Sequence, residues 1–439
     1  RRVLRAPSPP APSPGPGCRP DPPTRARHGV VAFALAMMAI AYLDRVCISI
    51  AAPSIQRDLR LSDPQMGYVF SAFTLAYALF EVPSGWLADR FGARRTLARI
   101  VVWWSALTAA TGLARGFASL FALRLLFGIG EAGALPSTSR AFARWLPPRE
   151  RGRSFGLTIM AGALGGALAQ PLVALLIERV GWRSSFLVLG VVGLGWAASW
   201  LVWFRDEPHA HGGVNAAELQ LIGADLPRRH PAVPWRELVQ HRGLLALCLM
   251  YGGAIYGWYF YLTWLPTYLL RARGFELRSV GWLAALPLLA IACGVWGGGW
   301  LSDLLSPRAG PAVARRLPGL LGLPAAALCV LGAVATPAPQ TAAFLLAAAA
   351  GLAALGVAPA WAVCLEIGGV HAGVVSGAMN MFGNLGGALS PLVVGWCLEA
   401  RGSWDAPLVS VACLYLLAAT CWLSIDPRKR LAEATTATE

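Results

Sequence analysis

Four charged side chains lie inside stretches that are otherwise apolar, and their chemistry is the first clue to this chain. Asp44 and Arg45 are adjacent in one apolar stretch, and Arg124 and Glu131 share another. A charge at the depth of a membrane core costs at least about 2.5–3.5 kcal/mol, so it persists where it has a partner or a wet cavity. Two cations and two acids in two apolar segments therefore predict a water-accessible site that handles an anion and a proton.

The composition places the chain in a membrane. Of its 439 residues, 56% are hydrophobic and 13% are charged, whereas a soluble domain carries about 25% charged residues. About twelve apolar stretches come near the roughly 20 residues that a membrane-spanning helix needs. We predict an all-α integral membrane protein with twelve transmembrane helices, since β-barrel segments would be shorter and would alternate polar with apolar residues. The predicted spans are residues 29–52, 66–88, 96–114, 118–141, 153–176, 183–204, 242–270, 279–302, 316–334, 341–363, 373–397 and 405–424.

Positive charge is concentrated in alternate loops between these spans. The net charge is +15, and nearly all of the cations are Arg. This alternation is typical of cytoplasmic loops, so it predicts a multi-pass protein of the cell (inner) membrane with both termini in the cytoplasm. It also argues for the lipid bilayer and against nucleic acid as the partner. The Arg-rich loops carry Arg90, Arg94, Arg95 and Arg99, then Arg140, Arg144, Arg149, Arg151 and Arg153, then Arg308, Arg315 and Arg316.

The residues that commonly hold metals or do covalent chemistry form no recognisable site. The nine cysteines are scattered singly, without a CxxC pair or a Cys/His cluster, so the sequence predicts no metal, disulfide or cofactor. The polar regions contain neither a nucleophile–base pair nor a phosphate-binding loop, which argues against an enzyme.

The chain reads as two similar halves. GALGGAL at 162–168 matches GNLGGAL at 383–389, and GWLAD at 85–89 matches GWLSD at 299–303, in the same order. Two copies with the same topology are typical of transporters whose halves rock about a site at mid-membrane. The predicted parts are a disordered Pro- and Arg-rich leader (1–28), the N-terminal six-helix half (29–204), a cytoplasmic linker (205–241), the C-terminal six-helix half (242–425) and a cytoplasmic tail (426–439).

A family resemblance rests on several of these motifs. GWLADRFGARRTL at 85–97 resembles the loop signature of the major facilitator superfamily, in which charges and glycines latch the loop to neighbouring helix ends. The second copy, GWLSDLLSPR, is degenerate, so we do not expect it to latch. YLDRVCISIAAPSI, ALRLLFGIGEAGALPS and MNMFGNLGGALSP resemble the anion:cation symporter family within it, with the bacterial sugar-acid branch closest. The predicted gating residues are Gly85, Asp89, Arg90, Gly92, Arg94 and Arg95.

The resemblance implies a role for each charged residue. Arg45 is similar to the family's anchor for a substrate carboxylate, Asp44 and Glu131 to its proton-coupling acids, and Arg124 to their charge-balancing partner. The alternative is a structural Arg–acid pair that locks two helices together. Polar and aromatic residues at similar depth are expected to bind substrate, although amides also join membrane helices to one another. These are Tyr42, Tyr77, Gln170, Tyr256, Tyr259, Trp361, Asn380 and Asn384.

Three further polar residues are expected to have no contact with substrate. Glu81, beside Pro83, is expected to bond to neighbouring helices. Glu366 and His371 are expected to be solvated in the short loop after the tenth span.

The function that the resemblance implies is uptake of a small organic anion together with protons, by a monomer that exposes its site to each side in turn. A sugar acid such as an aldonate, aldarate or hexuronate is the expected substrate. Two alternatives stay open: an exporter or proton antiporter of other small molecules, and a membrane sensor that binds the same anion without transporting it. The paired Arg residues favour an anion, since a carrier of cations would need acids without Arg.

The predicted topology can be tested by labelling single cysteines. In a background without native cysteines, Arg57→Cys should react with an impermeant maleimide from outside the cell. Arg149→Cys, in an Arg-rich loop, should react only after permeabilisation. The reverse accessibility would contradict both the topology and the cytoplasmic position of the termini.

Overall fold

Helices make up the regular structure of the residues that the computed structural model describes, 22–223 and 235–428. Two short 3₁₀ turns, Pro208–Ala210 and Gly369–His371, join them. In chain order the α-helices are α1 (Ala26–Leu59), α2 (Asp63–Phe91), α3 (Ala93–Thr111), α4 (Phe117–Glu131), α5 (Ala134–Trp145), α6 (Pro148–Trp203), α7 (Ala216–Ile222), α8 (Trp235–Gln240), α9 (Arg242–Thr263), α10 (Leu265–Arg271), α11 (Leu277–Ala309), α12 (Pro311–Ala335), α13 (Pro339–Ala354), α14 (Val357–Gly368), α15 (Ala372–Arg401) and α16 (Asp405–Ser424).

The all-helical membrane fold is confirmed, and each predicted span falls on one of these helices or on a consecutive pair. Nine helical stretches between residues 22 and 428, outside the gap at 224–234, are long and apolar enough to cross a membrane. The number of twelve crossings stays a prediction. One of the nine stretches, Arg149–Trp203, contains two predicted spans. Gly181 divides it, because its φ of 75° and ψ of 164° are not helical.

Three predicted spans are broken into two helices each. The fourth becomes α4 and α5, the seventh α9 and α10, and the tenth α13 and α14. The break after α4 comes directly after Glu131, so this acid lies at the end of a helix inside the protein. Because the fourth and tenth spans occupy equivalent places in the two halves, their common interruption agrees with the internal repeat.

The repeated Gly motifs pack in the same way in both halves. In the first half, a Cβ on Gly165 of α6 would lie 2.6 Å from Ala39 Cα of α1. In the second half, a Cβ on Gly386 of α15 would lie 2.2 Å from Gly252 O of α9. Small residues at such positions let membrane helices approach backbone to backbone. Each motif therefore holds its helix against the first helix of its own half.

The two halves meet along α2 with α15 and α6 with α11. A Cβ on Gly67 would lie 2.6 Å from Pro391 O across the first pair, and one on Gly281 would lie 2.9 Å from Pro171 Cα across the second. Ser71 Oγ also donates to Ala388 O at 2.6 Å. The interface between halves is close enough that a larger residue at either glycine would separate them.

The chain is ordered ahead of the predicted boundary at residue 29, because the linker holds it. α1 begins at Ala26, and Glu218 on α7 is fully buried beneath it. Thr24 Oγ1 donates to Glu218, and Arg27 donates to the same carboxylate from its backbone N at 3.1 Å and from Nη1 at 3.1 Å. Arg27 also bonds Glu150 of α6 at 3.1 Å. Arg27 at the start of α1 thereby joins the linker helix α7 on one side and α6 on the other. Residues 1–21 of the predicted leader and 429–439 of the tail lie outside the described residues.

Replacing Glu218 with Gln should lower the free energy of unfolding of the purified protein by about 1–3 kcal/mol, the usual cost of losing hydrogen bonds to a charged group. Burial raises the pKa of Glu218, but the bonds from Thr24 and Arg27 outweigh it and hold the pKa below its ordinary value. The difference between wild type and variant should therefore be full above about pH 4.3 and disappear as the pH falls further. Glu207→Gln, at an exposed 3.4 Å pair with Arg144, is the control and should change little. Equal losses of stability in the two variants would contradict a stabilising role for the hydrogen bonds of Glu218.

Candidate functional site

A short ion pair joins the first and fourth spans at the centre of the site. Arg45 Nε on α1 donates to Glu131 Oε1 on α4 at 2.6 Å, and Arg45 Nη2 lies 2.6 Å from the same oxygen. The Glu131 side chain is 1% exposed and that of Arg45 is 17% exposed. The second carboxylate oxygen of Glu131 makes no hydrogen bond within the described chain. The predicted acid and anchor are thus in direct contact.

Aromatic rings surround the guanidinium of Arg45. Its Cζ lies 5.3 Å from the ring centre of Tyr42, 5.2 Å from Phe73 and 4.9 Å from Tyr77. Rings at these distances attract a cation through their quadrupoles and exclude water from one side of it. The rings therefore stabilise the charge of Arg45 at this position. Tyr42 and Tyr77, which the sequence predicted to bind substrate, lie beside the anchor.

Asp44 and Arg124 are buried charges, and most of their polar atoms lie without a close hydrogen-bond partner. Asp44 has no solvent exposure and Arg124 is 1% exposed. Neither oxygen of Asp44, and neither Nε nor Nη2 of Arg124, makes a hydrogen bond to any described residue. Asp44 does interact electrostatically with both Glu131 and Arg124. Buried groups in this state are costly, so this arrangement favours a site that receives something from outside over a pair that only locks helices.

A cavity of about 30 Å³ lies between the halves and reaches both Arg residues. It has room for about two water molecules, so a larger molecule would need the walls to move. Thr74, which has a fully buried hydroxyl without a hydrogen bond in the described chain, projects from α2. The lining residues are Arg45, Ile48, Phe70, Phe73, Thr74, Arg124, Tyr259, Leu262 and Thr263. A second cavity, of about 10 Å³ between α9, α11, α13 and α16, has no charged lining residue.

The predicted substrate residues of the second half divide between this cavity and other contacts. Tyr259 lines the cavity, and its hydroxyl lies 3.5 Å from Asn384 Oδ1, to which it donates. Asn380 Nδ2 instead donates to both carboxylate oxygens of Glu81 at 3.1 and 3.0 Å. Asn380 therefore joins α15 to α2 across the two halves, which is the helix–helix alternative. Glu81 bonds to a neighbouring helix, as predicted.

Three other predicted residues do not line the cavity. The Tyr256 hydroxyl lies 2.9 Å from Ser410 Oγ on α16, and Trp361 Nε1 donates to the Tyr251 hydroxyl at 3.3 Å. Gln170 is fully buried, and neither polar atom of its side chain has a hydrogen bond in the described part of the chain.

Six lining residues on α1, α2 and α9, most of them apolar, were not predicted from the sequence. Phe73 and Thr74 are one helical turn before Tyr77, so the position of Tyr77 contained a signal for them. Ile48, Phe70 and Leu262 have no such signal, because apolar residues are common throughout these helices.

The signature loop after α2 is held against the end of α6. Gly92 adopts a φ of 82°, which favours glycine, and a Cβ there would lie 2.9 Å from Asp206. The backbone N of Arg94 donates to Asp206 Oδ1 at 2.9 Å, and Trp200 Nε1 donates to Arg94 O at 3.1 Å. Arg90 and Arg95 are exposed. For the other two predicted gating residues, Gly85 and Asp89, the surroundings lie outside what the structure describes.

The degenerate second copy of the signature forms a latch, contrary to expectation. Arg315 of α12 contacts Asp303 at 3.1 Å and Glu366 at 3.0 Å, and donates to Ser302 at 2.9 Å. Glu366 is therefore paired, and the prediction that it is solvated is wrong, because α14 continues to Gly368 and carries it to α12. His371 is only 5% exposed, so it is not solvated either.

Comparison with known proteins agrees with this architecture. The family model of the Major Facilitator Superfamily matches residues 34–391. The chain is 38% identical over 414 residues to the probable sulfoacetate transporter SauU of Cupriavidus necator, covering 92% of this chain and 94% of that protein. It is 32% identical over 421 residues to the D-galactonate transporter of Escherichia coli O6:H1, covering 91% and 96%. A bacterial homologue of the human lysosomal transporter Spinster, solved in an inward-facing and unoccupied conformation, superposes with a TM-score of 0.77 at 21% identity, covering 92% and 98%.

The pair of Arg45 and Glu131 should behave as one unit in stability measurements. Arg45→Met or Glu131→Met alone leaves one buried charge unpaired and should cost about 3–5 kcal/mol. The double variant removes both charges and keeps similar volume, so it should be more stable than either single variant. Reversible unfolding in detergent micelles measures all three. Asp58→Asn, at the exposed 3.0 Å pair with Arg183, is the control and should cost less than about 1 kcal/mol. Additive effects of the two single changes would contradict direct coupling.

Proposed function

The chain belongs to the major facilitator superfamily, and from this premise we propose that it carries a small organic anion across the cell membrane together with protons. Members of this family are transporters rather than enzymes. The two relatives described above are named as transporters of sulfoacetate and of D-galactonate, which are both small organic anions. The proposal includes the sugar acids that the sequence resemblance predicts.

The observation that carries the proposal is the Arg45–Glu131 pair at the edge of the cavity. While Glu131 is ionised, it occupies the guanidinium edge of Arg45 at 2.6 Å. A proton on Glu131 would remove most of that attraction and leave the fork of Arg45 for a carboxylate or sulfonate. Proton uptake and anion binding are then linked, because protonation of Glu131 frees the guanidinium edge to which the anion binds. Asp44, which interacts electrostatically with Arg124, is the second acid that can take up a proton, although it does not occupy the Arg124 fork.

Alternating access requires the two halves to separate at one end of the site and close at the other. At one end, Arg271 of α10 contacts Asp63 at 2.7 Å and Gln56 at 2.9 Å. Asn380 bonds Glu81 about 27 Å further along α2. These contacts join the halves at both ends of the cavity, so we expect either set to break as the halves rock. We propose that the Glu81 end and both termini face the cytoplasm, because the Arg-rich loops are typical of that side. The family default is a monomer.

Glu131→Gln tests the coupling, because the amide resembles the protonated acid. The variant should still exchange labelled anion for unlabelled anion across proteoliposomes, since Arg45 keeps its fork. It should lose accumulation driven by a pH gradient, because it carries no proton at that position. The measurement is counterflow beside gradient-driven uptake in the same vesicles. Glu178→Gln, at an exposed carboxylate, is the control for loss of a charge and should retain both activities.

The outcomes of that experiment distinguish proton symport through Glu131 from the alternatives. Gradient-driven accumulation in Glu131→Gln would move the coupling role to Asp44, which Asp44→Asn then tests. Accumulation of the anion by the wild type on the acidic side of the membrane, against the direction of proton flow, would support the antiporter alternative. Binding of an anion without counterflow in the wild type would contradict transport and support a sensor.

A further inference from the structure

We propose that this cavity selects a short organic dianion, with one anionic group on Arg45 and the other on Arg124, over a polyhydroxylated sugar acid. A short sulfocarboxylate or dicarboxylate fits this description. The inference rests on the proposed function, that this cavity binds the transported anion.

Two separate guanidinium groups face the same cavity. Arg45 and Arg124 both line it, and they come from different helices. Arg124 keeps Nε and Nη2 without hydrogen bonds to described residues although it is 1% exposed, so its fork is already open. Arg45 gains an open fork when Glu131 is protonated. Each fork presents paired N–H donors that match two oxygens of a carboxylate or sulfonate. A ligand with one anionic group can satisfy only one of them.

Two tilted aromatic rings connect the two cations. Arg45 Cζ lies 5.2 Å from Phe73, the Phe73 and Phe127 ring centres are 5.5 Å apart, and Arg124 Cζ lies 4.8 Å from Phe127. Phe73 lines the cavity with Ile48, Phe70 and Leu262. These apolar side chains offer no hydrogen bond to the middle of a ligand, so they suit methylene groups between two charged ends.

The cavity has few groups for hydroxyls. Apart from the two Arg residues, its lining has three hydroxyl-bearing side chains, of Thr74, Tyr259 and Thr263. Thr263 already donates to Tyr259 O, and Tyr259 donates to Asn384. A six-carbon sugar acid carries several hydroxyls, each of which loses its water when it enters. Hydroxyls that find no partner in an apolar cavity weaken binding.

Two of the side chains that the sequence predicted for a polyol are bonded to other residues. Asn380 is bonded to Glu81 and Tyr256 to Ser410. On the α6 side, the residues against the Tyr42 ring are Gly162 and Gly166, where a Cβ would lie 2.8 and 3.2 Å from the ring. At these two positions α6 brings backbone rather than a polar side chain towards Tyr42.

A competition panel on the full chain tests the inference. Proteoliposomes loaded with sulfoacetate are assayed for counterflow against malonate and succinate as short dianions, acetate and methanesulfonate as monoanions, and D-galactonate and D-glucarate as polyhydroxylated acids. Glucarate separates the effect of a second charge from the effect of hydroxyl groups, because it has two carboxylates and also several hydroxyls. Short dianions should compete at roughly tenfold or more lower concentration than either other group, as expected when a second charged contact is added.

Arg124→Gln provides the test by mutation. It should remove the preference, so that malonate and acetate compete at similar concentrations, while Arg124→Lys should retain part of it. Arg183→Gln is the matched control, because Arg183 is an exposed Arg that contacts Asp58 outside the cavity, and it should keep the wild-type order. If Arg124→Gln does not fold, the wild-type order alone decides. Tighter competition by galactonate or glucarate than by every short dianion would overturn the inference and leave anion transport standing. Absence of counterflow for the whole panel would overturn both.

Discussion

The contact between Arg45 and Glu131 is the interaction on which the rest of the site depends. It lies in a membrane segment, where an unpaired charge costs several kcal/mol, so the two helices that carry these residues must stay in register. The surrounding packing serves that requirement. Gly128 on α4 has so little space beside it that a Cβ would lie 2.3 Å from Phe73 O, which brings α4 against α2 and the ring of Phe73 against Arg45. The helix then ends at Glu131, and its acid is directed towards α1.

The internal repeat explains how this local contact is connected to movement of the whole molecule. Each Gly motif fixes α6 or α15 to the first helix of its own half, so each half can move as a unit. The halves also approach each other closely at Gly67 and Gly281, but the contacts at the two ends of their interface are polar: an ion pair with Asp63 at one end and an amide–carboxylate contact with Glu81 towards the other. Such polar contacts are replaceable by water when an end opens. The ends of the interface can therefore open in turn while its glycine contacts serve as the place about which the halves rock.

The sequence was enough to predict the helical membrane fold and the four charged residues of the site. Charged residues inside apolar segments, and the lengths of those segments, are strong signals in a membrane protein. It was not enough to choose among the neutral polar residues. Asn380 and Asn384 lie on one face of α15, yet the first bonds Glu81 and the second contacts Tyr259, which lines the cavity. Their roles differ because α2 crosses α15 beside one residue and α9 beside the other, and a single sequence does not state which helices cross where. Glu366 was misplaced for a related reason: α14 runs past the predicted end of the tenth span, and its partner Arg315 lies on a helix distant in sequence.

The charge balance of the site supplies a physical reason for coupling. Asp44, Arg45, Arg124 and Glu131 carry two positive and two negative charges when all are ionised, so the empty site is neutral overall. An anion that entered without a proton would leave net negative charge in a low-dielectric region, which is unfavourable. An anion that enters as the acids take up protons restores neutrality and also frees the donors that hold it. Neutrality is reached with one proton for a monoanion and with two for a dianion, which is the number of acids in the site. Burial therefore favours co-transport through the same residues that bind the anion, without a separate device to link the two events.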